Sequence, residues 1–217
     1  RGAPVPGLGP GRLLVAREGA VPPGSVFHRS VVLLLECSPG GGARGVVLTA
    51  PDDDTRGPAA AAAARRRLAA LWGRLSSPEQ QLRVGTGGPV ARGGARQLPG
   101  AVTVLHNRSG LQGSHEVSNG IYCARNLESL LETENDEGSE DTTTRASVLF
   151  GYAGWASRQL DGEIRAGGWR VLDAAADHVF QHPGATLWAT LTAQLDDGHR
   201  RPPPQRQQAQ MPFPPQQ

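Results

Sequence analysis

Apolar and polar positions alternate along the chain in short blocks that read mostly as strands, with helical spacing in a few places. Arg12 to Ala16 (RLLVA) predicts a strand. Phe27 to Glu36 (FHRSVVLLLE) is too apolar for a strand with one wet face, and is expected in a sheet centre with both faces covered. A turn over Ser38 to Gly42 leads to Ala43–Leu48, its expected antiparallel partner. Further strands are expected at the RVG segment after Pro78, at Ala101 to His106 and at Gly120 to Cys123. Leu68, Leu71, Trp72 and Leu75 recur at helical spacing, which predicts a helix from about Ala59 to Leu75. Asn126 is a suitable N-cap for a short helix carrying Leu127, Leu130 and Leu131. Asp173 is placed to cap a helix running through Phe180, and Leu187, Trp188, Leu191 and Leu195 mark a last one.

The most informative stretch is Ser147 to Val171, SVLFGYAGWASRQLDGEIRAGGWRV. An apolar run enters a Gly-Tyr-Ala-Gly-Trp turn, the spacing becomes helical, and a second apolar run begins at Trp169: strand, turn, helix, strand. Gly151 and Gly154 are expected to supply unusual backbone angles. Leu160 and Ile164 share the inward helix face, and Gln159 and Glu163 share a neighbouring one.

The residues Gly151, Tyr152, Ala153, Gly154 and Trp155, followed by Gln159, Leu160, Glu163 and Trp169, resemble the signature of the AlgH/YqgE family. The likeness extends to RLLVA, to RSVVLLLE after Phe27, to GARGVVL, and to the turn Gly87-Gly88-Pro89-Val90. It covers roughly Arg12 to Leu195. The chain departs from the family pattern at Cys37, where a histidine is common, and at Thr49-Ala50, in place of Asn-Arg. The resemblance implies an α+β fold, a curved mixed sheet forming a pseudo-barrel with flanking helices. It also implies a protein without an agreed activity that carries the label of transcriptional regulator.

Composition then limits the classes. The chain has 217 residues, enough for one domain with appendages. A Pro/Gly-rich segment occupies 1–11, the single domain 12–197 with insertions near 52–66 and 133–144, and a Pro/Gln-rich tail, expected to be disordered, 198–217. All 22 basic residues are Arg, and a net charge of +2 with interspersed signs gives no global field for nucleic acid or anionic membrane. No apolar run approaches the length of a membrane span. The two cysteines are too few for a secreted disulfide scaffold, so a reducing compartment is the default. The alanine run, acidic insertion and Pro/Gln tail are reminiscent of an algal nuclear gene, giving chloroplast as the expected location and cytoplasm as the alternative.

Candidate chemistry is sparse. The glycines around Gly87 and Gly88 lack the Gly-Lys-Ser/Thr ending of a phosphate loop and read as a structural turn. The helix after Trp155 offers a generic anion site at its N-terminus. Glu36, His28, His106, Gln159 and Glu163 are the polar groups to examine, as an acid, a base or mere strand-end residues. Cys37 and Cys123 are candidates for a redox-sensitive pair, against the plainer reading of core residues. His178 and His182 are four apart but lack an HExxH context, and no motif requires a metal or cofactor. Arg65, Arg66, Arg67 and Arg74 form a local basic patch without any accompanying nucleic-acid signature.

The first reading is therefore a non-enzymatic protein that binds another protein or a small ligand. An enzyme with a site near the GYAGW turn and a direct nucleic-acid binder through the Arg patch are the alternatives.

Overall fold

The computed structural model describes residues 5–38, 41–49, 70, 81–90, 102–124, 144–181 and 184–200. The expected helix at 59–75, apart from Ala70, which is helical, the expected helix after Asn126, most of the acidic insertion, the tail beyond Arg200 and Arg65, Arg66, Arg67 and Arg74 lie outside them.

The described strands form two five-stranded sheets. The first contains β1 (Arg12–Ala16), β2 (Val31–Cys37), β3 (Ala43–Val47), β9 (Ala153–Trp155) and β10 (Trp169–Asp173), in the order β10-β1-β2-β3-β9 with every pair antiparallel. The second contains β4 (Gln81–Thr86), β5 (Val102–His106), β6 (Ser114–Ser118), β7 (Ile121–Ala124) and β8 (Arg145–Phe150), in the order β4-β8-β5-β7-β6. Its β4–β8 pair is parallel. Three helices follow β9: α1 (Gln159–Arg165), α2 (Ala176–Phe180) and α3 (Ala185–Arg200).

Period-two alternation explains how the layers join. Leu13, Val15, Val31 and Leu33 turn one face of the first sheet into a core shared with Leu105, Ile121 and Leu149 of the second, and with Leu187 and Leu191 of α3. Leu14, Val32, Leu34 and Val47 turn the opposite face towards α1, Trp155 and Trp169. The first sheet is thus covered on both sides, and β2 lies at its centre, as its unbroken apolar run predicts. Trp188 ties α3 to β1 by donating its indole N–H to the Ala16 carbonyl at 2.7 Å, while Arg29 stacks over its ring.

The α+β class holds, but the pseudo-barrel does not: the two sheets stay open, with β9, β10, β4 and β6 at their edges among the described residues. Among the described residues the sheets meet at a backbone corner. Val47 donates its N–H to the Gly87 carbonyl and Gly87 donates its own to the Phe150 carbonyl, both at 2.7 Å. There the chain leaves β8 in the second sheet and enters β9 in the first, so the strands change sheet without closing a cylinder.

Smaller differences have local causes. Phe27 to Ser30 is a turn, with Arg29 at φ 49° and the Ser30 hydroxyl donating to the Phe27 carbonyl, so β2 begins only at Val31. Asp173 belongs to β10 and pairs with Arg12; α2 starts after Ala175, whose N–H is received by His178 Nδ1. Gly154 sits within β9 at an ordinary backbone angle, and the left-handed angle of the turn belongs to Gly151, at φ 77°.

Candidate functional site

The signature residues assemble at two adjoining places. The first is a bracket around Glu163. The seven-residue α1 is too short to persist alone and is held by what its side chains touch. Glu163 Oε2 accepts the indole N–H of Trp155 at 2.9 Å and that of Trp169 at 2.8 Å. Its Oε1 accepts from Gln159 Nε2 at 2.9 Å, and Gln159 Oε1 in turn accepts the Ala156 N–H at 3.0 Å. The two indoles meet edge to face at 6.2 Å, and Phe27 packs against both. One carboxylate therefore fastens β9, α1 and β10 together. Next to it, buried Asp161 accepts the Val5 N–H at 2.8 Å and ties down the N-terminal segment.

The second place is the glycine corner. Gly88 has φ 149°, and a Cβ there would lie 2.3 Å from the Tyr152 carbonyl carbon. A Cβ on Gly87 would meet the Gly151 oxygen at 2.5 Å, and one on Gly151 would meet the Gly88 oxygen at 2.6 Å. Only glycine allows these backbones to cross. Beyond the crossing and past Pro89, Val90 and Tyr152 exchange backbone hydrogen bonds, and Arg44 stacks on the Tyr152 ring at 4.7 Å. The Gly87 amide is already engaged by Phe150, and the Ala156 amide by Gln159, which removes two donors from the anion sites considered at these turns.

The remaining candidates are scattered. Glu36 is exposed, 3.4 Å from Arg44, and His28 Nδ1 lies 3.0 Å from the Val21 carbonyl. Among the described residues no hydrogen bond or ion pair joins Glu36, His28 and Glu163. Cys37 and Cys123 are free thiols in different sheets. Burial raises the pKa of Cys37, assisted by Asp161, and burial raises that of Cys123 against the pull of Arg44, with Glu36 adding to the rise. Neither is an activated thiolate. No group of three or more metal-ligating side chains occurs among the described residues.

His106 is fully buried in β5, with Nε2 3.0 Å from Ser114 Oγ and the ring stacked on Tyr122. Burial pushes its pKa down to about 4; the nearby Arg108 backbone opposes the shift, and the Arg108 charge favours it. Its Nδ1 still lacks a partner in proper hydrogen-bonding geometry. The imidazole is neutral at physiological pH.

A cleft of about 560 Å³ opens between the β4–β8 edge and α2, lined by Arg83, Arg145 and Ser147 on the strands and by Val179, Phe180 and Gln181 on α2. The sequence does not advertise this feature. The two arginines share a face only through the parallel register of β4 and β8, which has no local signal.

Comparison with known proteins agrees with this architecture. Over 183 residues the chain is 32% identical to a UPF0301 protein of Myxococcus xanthus, covering 84% of this chain and 88% of that one. It is 29% identical to another from Mycolicibacterium gilvum, covering 83% and 78%. Among solved structures, protein DIP2367 of Corynebacterium diphtheriae superposes with a TM-score of 0.58 at 22% identity, covering 91% of this chain and 89% of that one. The AlgH protein of Pseudomonas aeruginosa gives 0.55 at 22%, covering 85% and 87%. These relatives are bacterial, so the expectation of a plastid protein finds no support in them. The AlgH-like family model, DUF179, matches residues 13–199, and the chain belongs to that family.

Proposed function

We propose that this protein acts by binding rather than by catalysis at its signature turn, and that any part it has in transcriptional regulation is exercised through a protein partner or a small ligand. The observation that supports this is the structural engagement of Glu163: three N–H donors occupy the carboxylate that an enzyme with a site at this turn would use. Three of the roughly four acceptor positions of that carboxylate are then committed to holding the fold together. The signature then specifies a frame, and recognition belongs elsewhere on the surface.

Glu163→Gln tests the reading. The amide keeps the size but turns a donor towards donors, so the fold should lose about 2–3 kcal/mol in urea unfolding. Unchanged or increased stability would return Glu163 to the catalytic candidates. Direct nucleic-acid binding is tested by titrating the protein with duplex DNA at two salt concentrations; no binding at physiological salt is the expected result.

A further inference from the structure

We propose that the cleft between the β4–β8 edge and α2 is a binding site for a small organic oxyanion, a carboxylate or phosphate carried on an apolar body. The inference rests on the reading of this protein as a binder and names its ligand class.

The parallel register sets Gln81 beside Arg145 and Arg83 beside Ser147, so two guanidinium groups stand diagonally on one face of the strand pair. All four line the cleft, and none of its described lining residues is acidic. The floor is pinned: Arg145 donates its backbone N–H to Asn107 Oδ1 at 2.9 Å and accepts from the Asn107 N–H at 3.3 Å. Gln81 donates its own to the Thr144 carbonyl at 3.0 Å.

Within this rigid setting the Arg145 Nε is buried and has no hydrogen-bond partner. A buried cationic donor without an acceptor is costly, and an oxyanion that drew the guanidinium edge out towards the cleft would remove the cost. The planar guanidinium edge fits carboxylate and phosphate oxygens side by side. Opposite it, Val179 and Phe180 of α2 form an apolar wall suited to a hydrocarbon or aromatic body.

The test is calorimetric titration of the full chain with benzoate and with phenyl phosphate at fixed ionic strength, using benzyl alcohol as the uncharged control. Saturable binding of either anion, and much weaker binding of the alcohol, is expected. Benzoate alone would assign the site to carboxylates, and phenyl phosphate alone to phosphate esters. Arg145→Gln should weaken the preferred anion at least about tenfold, with Arg145→Lys recovering part of the loss. Should Arg145→Gln not fold, Phe180→Glu, which sets a carboxylate in the wall, should weaken binding similarly. Failure of both anions to bind, equal binding of the alcohol, or unchanged binding in a folded Arg145→Gln or Phe180→Glu variant would overturn the proposal. None of those results would alter the stability of Glu163→Gln, so this proposal and the broader reading fail separately.

Discussion

The Glu163 bracket and the Arg145 cleft use polar groups in opposite ways. At the bracket, one carboxylate receives three donors from three elements, and the neighbouring Asp161 receives a fourth N–H from the N-terminal segment. At the cleft, a guanidinium nitrogen is enclosed without an acceptor. The first arrangement is closed and determines shape; the second is open and needs something from outside. The family signature lies at the closed end, which teaches that a recognisable motif in this fold marks architecture.

That contrast is broken most severely at the glycine corner. Gly88→Ala should cost more than about 3 kcal/mol, because the added methyl meets Tyr152 main chain that cannot swing aside. Chemical denaturation measures it, and a loss under about 1 kcal/mol would show that the crossing is adjustable. The Glu163→Gln loss comes next on the scale.

His106 sharpens the comparison through pH, since it has one bonded ring nitrogen and one without a proper partner. Above the ordinary histidine pKa of about 6.5 both folded and unfolded chains hold it neutral, so it contributes nothing to pH dependence. As pH falls towards 4, the unfolded chain takes up the proton while the folded one resists, and stability declines. The loss should reach about 2 kcal/mol by pH 5 and level off below the folded pKa. Urea unfolding from pH 7 to 4 should show that slope, and His106→Gln should flatten it even if it lowers the curve. A slope identical in the variant would assign the acid sensitivity to other groups.

The smallest effect belongs to Gly154→Val. Sequence alone makes this a costly change at a turn, but Gly154 lies in an exposed strand position and a Cβ would touch only the Tyr152 ring, at 3.3 Å. A change below about 1 kcal/mol is expected from thermal melting, and a larger one would mean that the ring cannot yield.

Much of the first sheet was legible because its strands are apolar enough to announce themselves: RLLVA coincides with β1, and VVLLL carries β2 to its buried centre. β6 escaped notice since SHEVS holds a single large apolar residue, and β9 was hidden inside what reads as a turn. For the bracket, the spacing of Gln159 and Glu163 was visible along one helix, whereas the indoles that complete it arrive from two strands. The cleft was not legible at all. It depends on the parallel register of strands distant in sequence and on α2 lying across them, and neither pairing nor packing has a local signal.

The place of β1 also governs when the protein can fold. Its partners are β2, which follows closely, and β10, which comes from the far end of the domain. During synthesis, β1 and β2 emerge with apolar residues on both faces while β10, α1 and α3 are still inside the ribosome or untranslated. The hairpin must wait for nearly the whole domain before its second edge and both coverings exist. A nascent chain arrested before Trp169 would therefore present the apolar five-residue edge of β1 unpaired, the kind of intermediate that a chaperone protects.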